Sequence, residues 1–389
     1  MPSFVLNTET VYGWGCAAEV GARAAAAGYR RALLVTDPGV RRAGLTEGVE
    51  ASLRAAGVAY TVFDAVSPNP RDTEAAACVA ALGDAGAELL VAIGGGSVID
   101  CAKAAGVVRT NGGRLRDWSA LMEGQPPPTP GLPLYALATT TGTGSETSGV
   151  AVITFDFGRE ARKGVVLNCR PALAFLDPEL VVDLPVGVLV SSGLDALTHA
   201  TESYVSERAS LFTRAFSAQA IRTLARVLPQ AAAAARTSGA DRRPSMETML
   251  YAANLAGRSM QGGLGQVHAL SHVVSAHHDT AHGYTNAVML TTVLAYHQRR
   301  LQPLLAEIGY LLGDPACAPG TDEAIAAGRA IDAIAGLRAT VGAPARLRDL
   351  HVPRASLAQL ALDAALPEPD QNPGPATRDD FQAMYERAW

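Results

Sequence analysis

At 389 residues, the chain is too long for one ordinary hydrophobic core and calls for two domains. A hydrophobic fraction of 48% against 18% charged residues fits a folded protein with little room for disorder, and a net charge of -5 excludes the basic footprint of a nucleic-acid binder. Neither a signal peptide nor an apolar run long enough for a membrane span is present, so the expected location is cytoplasmic. The five cysteines, at 16, 78, 101, 169 and 317, are odd in number and form no CxxC. They are expected to be reduced and mostly buried, with neither a disulfide frame nor a zinc knuckle. Taken in order, RALLVTD (31–37), AYTVFD (59–64) and ELLVAIGGGS (88–97) read as buried strands. Alanine-rich helical patterns lie around 16–28, 44–57 and 71–86, and another follows Val98. This alternation predicts a parallel, doubly wound sheet with helices on both faces. A proline-rich loop (124–133) leads to LYALATT (134–140), and VAVITF, VVLN and LAFLD read as further strands. From Pro185 helical periodicity dominates, which places a boundary near 184 between an α/β domain (1–184) and an all-helical domain (185–389).

Two glycine clusters point to a nucleotide. Gly94, Gly95, Gly96 and Ser97 follow an apolar strand and open a helix, so backbone N–H groups can approach a pyrophosphate without obstruction by Cβ atoms. Tight strand-to-helix packing is the competing use of such a turn. A second loop, Thr139 to Glu146, adds threonine hydroxyls, and two such loops in one domain favour the phosphate cradle. Asp37, ending the first of these strands, can accept both ribose hydroxyls and repel a 2′-phosphate, favouring NAD over NADP; a helix N-cap is its other use.

The stretch GLGQVHALSHVVSAHHDTAHGYTN (263–286) holds five of the eight histidines, at 268, 272, 277, 278 and 282. Asp195 and His199 are four apart in a helical segment and share one face, and His268 and His272 repeat that spacing. One carboxylate with three imidazoles suits Fe(II), Zn(II) or Mn(II). Spacing alone leaves open which histidines bind.

GGGSVIDCAK (94–103), TTTGTGSET (139–147), ALAFLDPEL (172–180), GLDALTHATESY (193–204) and GLGQVHALSH…AHGYTNAVML (263–290) together resemble the iron-containing, or group III, alcohol dehydrogenases. The likeness runs from VYGWG near the N-terminus to DQNPGPATRDDFQAMYERAW at the C-terminus. It implies a Rossmann-like NAD(P) domain and a helical domain like that of dehydroquinate synthase, with the active site in the cleft between. It also implies metal ligands Asp195, His199, His268 and His282, a place for His272 beside the nicotinamide as the catalytic candidate, and a wall or structural role for His277 and His278. Asp100, Thr139, Thr140, Thr143, Ser145 and Lys163 join the glycine turn as cofactor-binding candidates. The implied chemistry is hydride transfer between nicotinamide C4 and a small aldehyde or alcohol, with the ion as Lewis acid. Dimers or larger assemblies are the implied oligomers.

Some positions depart from the usual family pattern. Arg258 and Ser259 stand where apolar residues are common, Val150 where a larger or polar side chain is frequent, and Val273 where proline is usual. Val150, Arg258, Ser259 and His277 form the candidate substrate pocket, wider and more polar than usual, and able to receive a carboxylate or phosphonate. A small, polar, anionic aldehyde such as phosphonoacetaldehyde or succinic semialdehyde is the expected substrate; Arg258 in a surface salt bridge is the alternative. A dehydroquinate synthase-like lyase and a metal-independent, maleylacetate reductase-like enzyme are the rival classes.

Overall fold

The computed structural model describes residues 4, 6, 8–119, 124–156, 161–366 and 370–389. The chain forms two compact units, Met1–Leu184 and Pro185–Trp389.

The first unit is built on a parallel sheet of six strands. Its strands are β1 (Glu9–Tyr12), β2 (Arg31–Val35), β3 (Ala59–Phe63), β4 (Leu89–Gly94), β5 (Leu134–Ala138) and β8 (Leu173–Leu176), while β6 (Ala151–Asp156) and β7 (Ala161–Val166) form a separate antiparallel hairpin. Helices α1 (Val20–Ala26), α2 (Pro38–Arg42), α3 (Glu47–Ala55), α4 (Asp72–Ala85) and α5 (Gly96–Asn111) connect the strands. The spatial order is β1-β8-β5-β4-β2-β3. Strand β4 is buried throughout, because alternate side chains enter opposite layers of the core: Leu90 and Ala92 pack with α4 and α5, and Leu89, Val91 and Ile93 pack with α1 and α3. Two elements lack a clear pattern in the sequence, the edge strand β1 and the five-residue α2. Both are short and carry little or no buried apolar surface, so their periodicity is faint.

This order fixes where a ligand can bind. From β2 the chain runs outward to β3, and from β4 it runs the other way to β5, so the connections diverge between the carboxyl ends of β2 and β4. Such a switch point opens a crevice at the strand ends. Thr36 spans it by donating from Oγ1 to the Ile93 carbonyl at 2.8 Å. The GGGS turn and Asp37 therefore lie on its two sides.

The second unit is all helical: α6 (Val186–Val205), α7 (Leu211–Arg236), α8 (Arg243–Ser259), α9 (Gln266–His278), α10 (His282–Tyr296), α11 (Gln302–Leu311), α12 (Glu323–Thr340), α13 (Leu357–Ala364) and α14 (Arg378–Ala388). Helix α6 packs on α7, α8 and α10 and is buried continuously from Ser192 to Val205. A helix enclosed on all sides can hold polar residues only where they find partners, and Asp195, His199 and Glu202 are buried there along one stripe. No helix among the described residues is long and apolar enough to cross a membrane.

Candidate metal and nucleotide sites

Three ligand-type atoms converge in the second unit. One atom each from Asp195 on α6, His268 on α9 and His282 at the start of α10 lie within 4.8 Å of one another. The convergence rests on close helix packing: a Cβ at Gly283 would sit 2.0 Å from the Ser191 carbonyl oxygen, so only glycine lets the first turn of α10 approach α6 this closely. Asn286, one turn beyond His282, aims its amide into the group. Its Nδ2 donates to Asp195 Oδ1 at 2.7 Å, and lies 3.1 Å from His268 Nε2 and 3.0 Å from His282 Nε2. Two N–H bonds thus face three acceptors.

His199 strengthens this reading. It is 5% exposed and stacks on His268 with ring centroids 4.8 Å apart. Its Nδ1 has no hydrogen-bond partner and its Nε2 is 3.7 Å from Asp195 Oδ1, beyond hydrogen-bond reach. The Nε2 that faces Asp195 is therefore open to a further ligand on the side of the converging atoms. Burial, reinforced by His199 and opposed by Asp195, lowers the His268 pKa to about 3, so its imidazole is neutral at pH 7, as a metal ligand must be. One carboxylate and neutral imidazoles make a donor set that fits a borderline divalent ion.

On its other side, His268 meets Glu202. Glu202 Oε2 bonds His268 Nδ1, while Oε1 accepts the N–H groups of Val267 at 2.9 Å and Gly265 at 3.2 Å. Burial raises the Glu202 pKa to about 7, opposed by these backbone donors and by His199.

In the first unit the two loops touch. A Cβ at Gly95 would lie 3.0 Å from Thr140 Cγ2, and one at Gly96 would lie 2.9 Å from Thr143 Cγ2. Neither glycine takes positive φ, so both are needed for room rather than handedness. The Thr139 N–H bonds the Gly94 carbonyl at 3.0 Å, while the buried Thr140 Oγ1 has no partner. Behind them Lys103, 2% exposed, donates to Ser145 Oγ (2.9 Å), Ser148 Oγ (3.0 Å) and the Val150 carbonyl (2.7 Å). Asp100 bonds Ser145 Oγ and the Val152 N–H at 2.9 Å, and burial raises its pKa against the pull of Lys103.

Residues 7–178 match the iron-containing alcohol dehydrogenase family, and residues 189–389 match the C-terminal part of the Fe-containing alcohol dehydrogenase family. The chain belongs to the iron-containing alcohol dehydrogenases. It is 36% identical to the NAD-dependent methanol dehydrogenase of Bacillus methanolicus, with 100% of each chain covered. Identity to the 1,3-propanediol dehydrogenase of Klebsiella pneumoniae is 34%, covering 100% of this chain and 99% of that one. A solved 1,3-propanediol oxidoreductase superposes with a TM-score of 0.92 at 33% identity, covering 100% of both chains. A sulfoacetaldehyde reductase from Bifidobacterium kashiwanohense in complex with NAD+ gives 0.84 at 26% identity, covering 100% of this chain and 98% of that one. Membership makes the chain an oxidoreductase of a metal-dependent, iron-using family.

Within this iron-containing dehydrogenase the expected site residues take different places. His272 lies beside the convergence, its ring 4.9 Å from that of His282 and 5.7 Å from that of His268, and its atoms are not among the three that converge. Asp37 caps α2, its Oδ1 accepting from Gly39 N at 2.7 Å and Val40 N at 2.9 Å, which is the second of the two uses foreseen for it. Lys163, on β7, donates to Asn69 Oδ1 and Thr154 Oγ1, both at 2.9 Å. Arg258 donates from Nε to Asn254 Oδ1 at 2.9 Å, an amide one turn earlier on α8.

One pocket assignment is corrected. Ser259 has no exposed surface, and its hydroxyl donates to the Ala256 carbonyl at 2.7 Å, so it cannot touch a substrate. His277 pairs through Nε2 with Asp363 Oδ2 at 2.9 Å, tying α9 to α13, while the neighbouring His278 Nε2 meets Ser356 Oγ at 3.1 Å. Three residues escaped the sequence reading: Glu202, Asn286 and Lys103. The first two have a spacing signal in retrospect, Glu202 continuing the Asp195–His199 stripe and Asn286 one turn after His282; a lysine in an alanine-rich helix has none.

Proposed function

We propose that this chain catalyses reversible hydride transfer between a nicotinamide dinucleotide and a small polar aldehyde or alcohol. Asp195, His199, His268 and His282 would hold a divalent ion, iron by family, with Zn(II) or Mn(II) as alternatives. The observation that carries this reading is the convergence of three ligand-type atoms on the Asn286 amide, beside a buried histidine whose Nε2 faces Asp195 at 3.7 Å. When bound, the ion supplies Lewis acidity to the substrate oxygen. The chain's own part is orientation and proton handling. The GGGS turn, at the N-terminus of α5 on the switch point, receives the pyrophosphate, and the Thr140 hydroxyl is free to bond the cofactor. Asp37 Oδ1 is engaged in its cap, which leaves Oδ2 for a ribose hydroxyl and favours NAD over NADP. That preference accords with the name of the methanol dehydrogenase relative. His272, stacked on His282, is placed to hold or pass the proton that accompanies hydride transfer.

For the substrate, the Arg258 side chain, its Nε held by Asn254 one turn earlier on α8, supports an anionic aldehyde such as phosphonoacetaldehyde or succinic semialdehyde through its positive charge. A second reading, a short neutral hydroxyaldehyde, is favoured by relatives named for 1,3-propanediol and lactaldehyde. NADH oxidation by the Fe(II)-loaded protein across acidic and neutral aldehydes separates the two: Arg258→Ala should lower kcat/KM for acidic aldehydes about tenfold or more and leave neutral ones unchanged. A preference for ethanal or butanal would sink the anionic assignment. Turnover that survives chelation would favour the metal-independent reductase, and absence of net NADH turnover the lyase.

A further inference from the structure

We infer that Glu202 is the positioning residue that fixes the tautomer of His268 and thereby sets the metal affinity of the site. The inference rests on the proposed ion site and extends it to a residue that is not itself among the proposed ligands. Glu202 is 3% exposed and its two oxygens have separate duties. Oε1 takes the N–H groups of Gly265 and Val267, two donors that the first turn of α9 leaves without intrahelical partners. Oε2 is thereby held against His268 Nδ1, where a carboxylate accepts the Nδ1 proton and leaves the lone pair on Nε2.

The opposite edge of the ring gives an independent check. Asn286 Nδ2 faces His268 Nε2 at 3.1 Å, and an amide N–H can bond that nitrogen only if it carries no proton. Its Nδ2 cannot be exchanged with Oδ1, which would then face the Asp195 carboxylate oxygen at 2.7 Å. Acceptor on one side and donor on the other thus select the same tautomer, the one whose free lone pair points at Asp195 and His282. A carboxylate behind a ligating imidazole also strengthens its basicity.

Glu202→Gln tests this with little change of shape. The glutamine carbonyl can keep the Gly265 and Val267 bonds, which turns its NH2 toward His268 Nδ1 and moves the ring proton to Nε2, against the lone pair a metal needs. Zn(II) titration against a competing chelator should show E202Q binding about 10–100-fold more weakly than wild type. Glu202→Asp, which keeps the charge on a shorter arm, should fall between them, and NADH affinity should not change. Equal Zn(II) affinity in E202Q and wild type would overturn the inference. If wild type and His282→Ala bind Zn(II) alike, the ion site itself falls and this inference with it. Long-range 1H–15N spectra of metal-free wild type read the tautomer directly, whether or not E202Q folds. Protonation of His268 at Nδ1 is expected, and protonation at Nε2 would refute it.

Discussion

Lys103→Met removes a charge that has no water to fall back on. The side chain has no exposed surface, and its ammonium serves three acceptors at 2.7–3.0 Å with the Asp100 carboxylate 3.7 Å away. Bonds to a charged group contribute about 1.5–3 kcal/mol each, but three sharing one donor are not additive. The better guide is the loss of one partner from a buried ion pair, about 3–5 kcal/mol, because the stranded carboxylate keeps its desolvation cost. Lys103→Met should therefore lower local stability by about 3–5 kcal/mol, and Asp100→Asn in the same chain should restore about 1–3 kcal/mol by removing the stranded charge. Hydrogen exchange read by mass spectrometry on peptides from α5 and from 139–150 isolates this region, where global unfolding of a two-unit chain need not be two-state. NADH affinity should fall with it, because Ser145 and Ser148 anchor the loop that carries Thr140 and Thr143. A loss below about 1 kcal/mol, or a double variant less stable than the single one, would refute the argument.

Gly283→Ala should separate α10 from α6, since its Cβ would meet backbone, the Ser191 carbonyl, at 2.0 Å. We expect a loss of about 2–4 kcal/mol and of Zn(II) binding, read by thermal unfolding and titration; wild-type affinity would show that the close approach does not set the site. Thr140→Val deletes a buried hydroxyl with no partner. The free protein should be unchanged or slightly more stable, while NADH binding weakens about fivefold or more, the cost of one lost hydrogen bond; unchanged NADH affinity would release Thr140 from the cofactor. Burial, aided by Arg300, lowers the His297 pKa from 6.5 to about 4, and its Nε2 bonds Gln266 Oε1 at 2.6 Å. The folded state thus disfavours the proton: the stability is intact above pH 6.5 and is lost as pH falls toward 4, by roughly 2–3 kcal/mol at the limit. Urea midpoints at pH 7.5 and 4.5 should differ less in His297→Gln than in wild type.

Much of the first unit is legible in the sequence because its signals are local. The continuous apolar runs in RALLV and LLVAIG follow from a sheet covered on both faces, and the glycine turn sits where a strand must hand over to a helix. The site in the second unit is less legible. Asp195 and His199 share a helix face by spacing, as do His268 and His272, yet the converging set takes only one member of each pair and completes itself with His282. Asp37 shows the same limit, since an aspartate before Pro38 suits a helix cap as well as a ribose.

Periodicity, glycine placement and the i, i+4 pairs alone establish an α/β unit followed by a helical one, a phosphate-friendly turn, and a store of imidazole and carboxylate for a divalent ion. These depend on neighbours along the chain, whose geometry the backbone dictates. Tertiary structure decides which histidines meet, because that depends on how closely α6, α9 and α10 approach, and Gly283 with its missing Cβ sets one of those approaches. It likewise turns Glu202 toward His268, buries Ser259 and gives His277 to Asp363. Partners distant in sequence leave no periodic trace, and burial, which makes each of these contacts count, is a property of the packed whole.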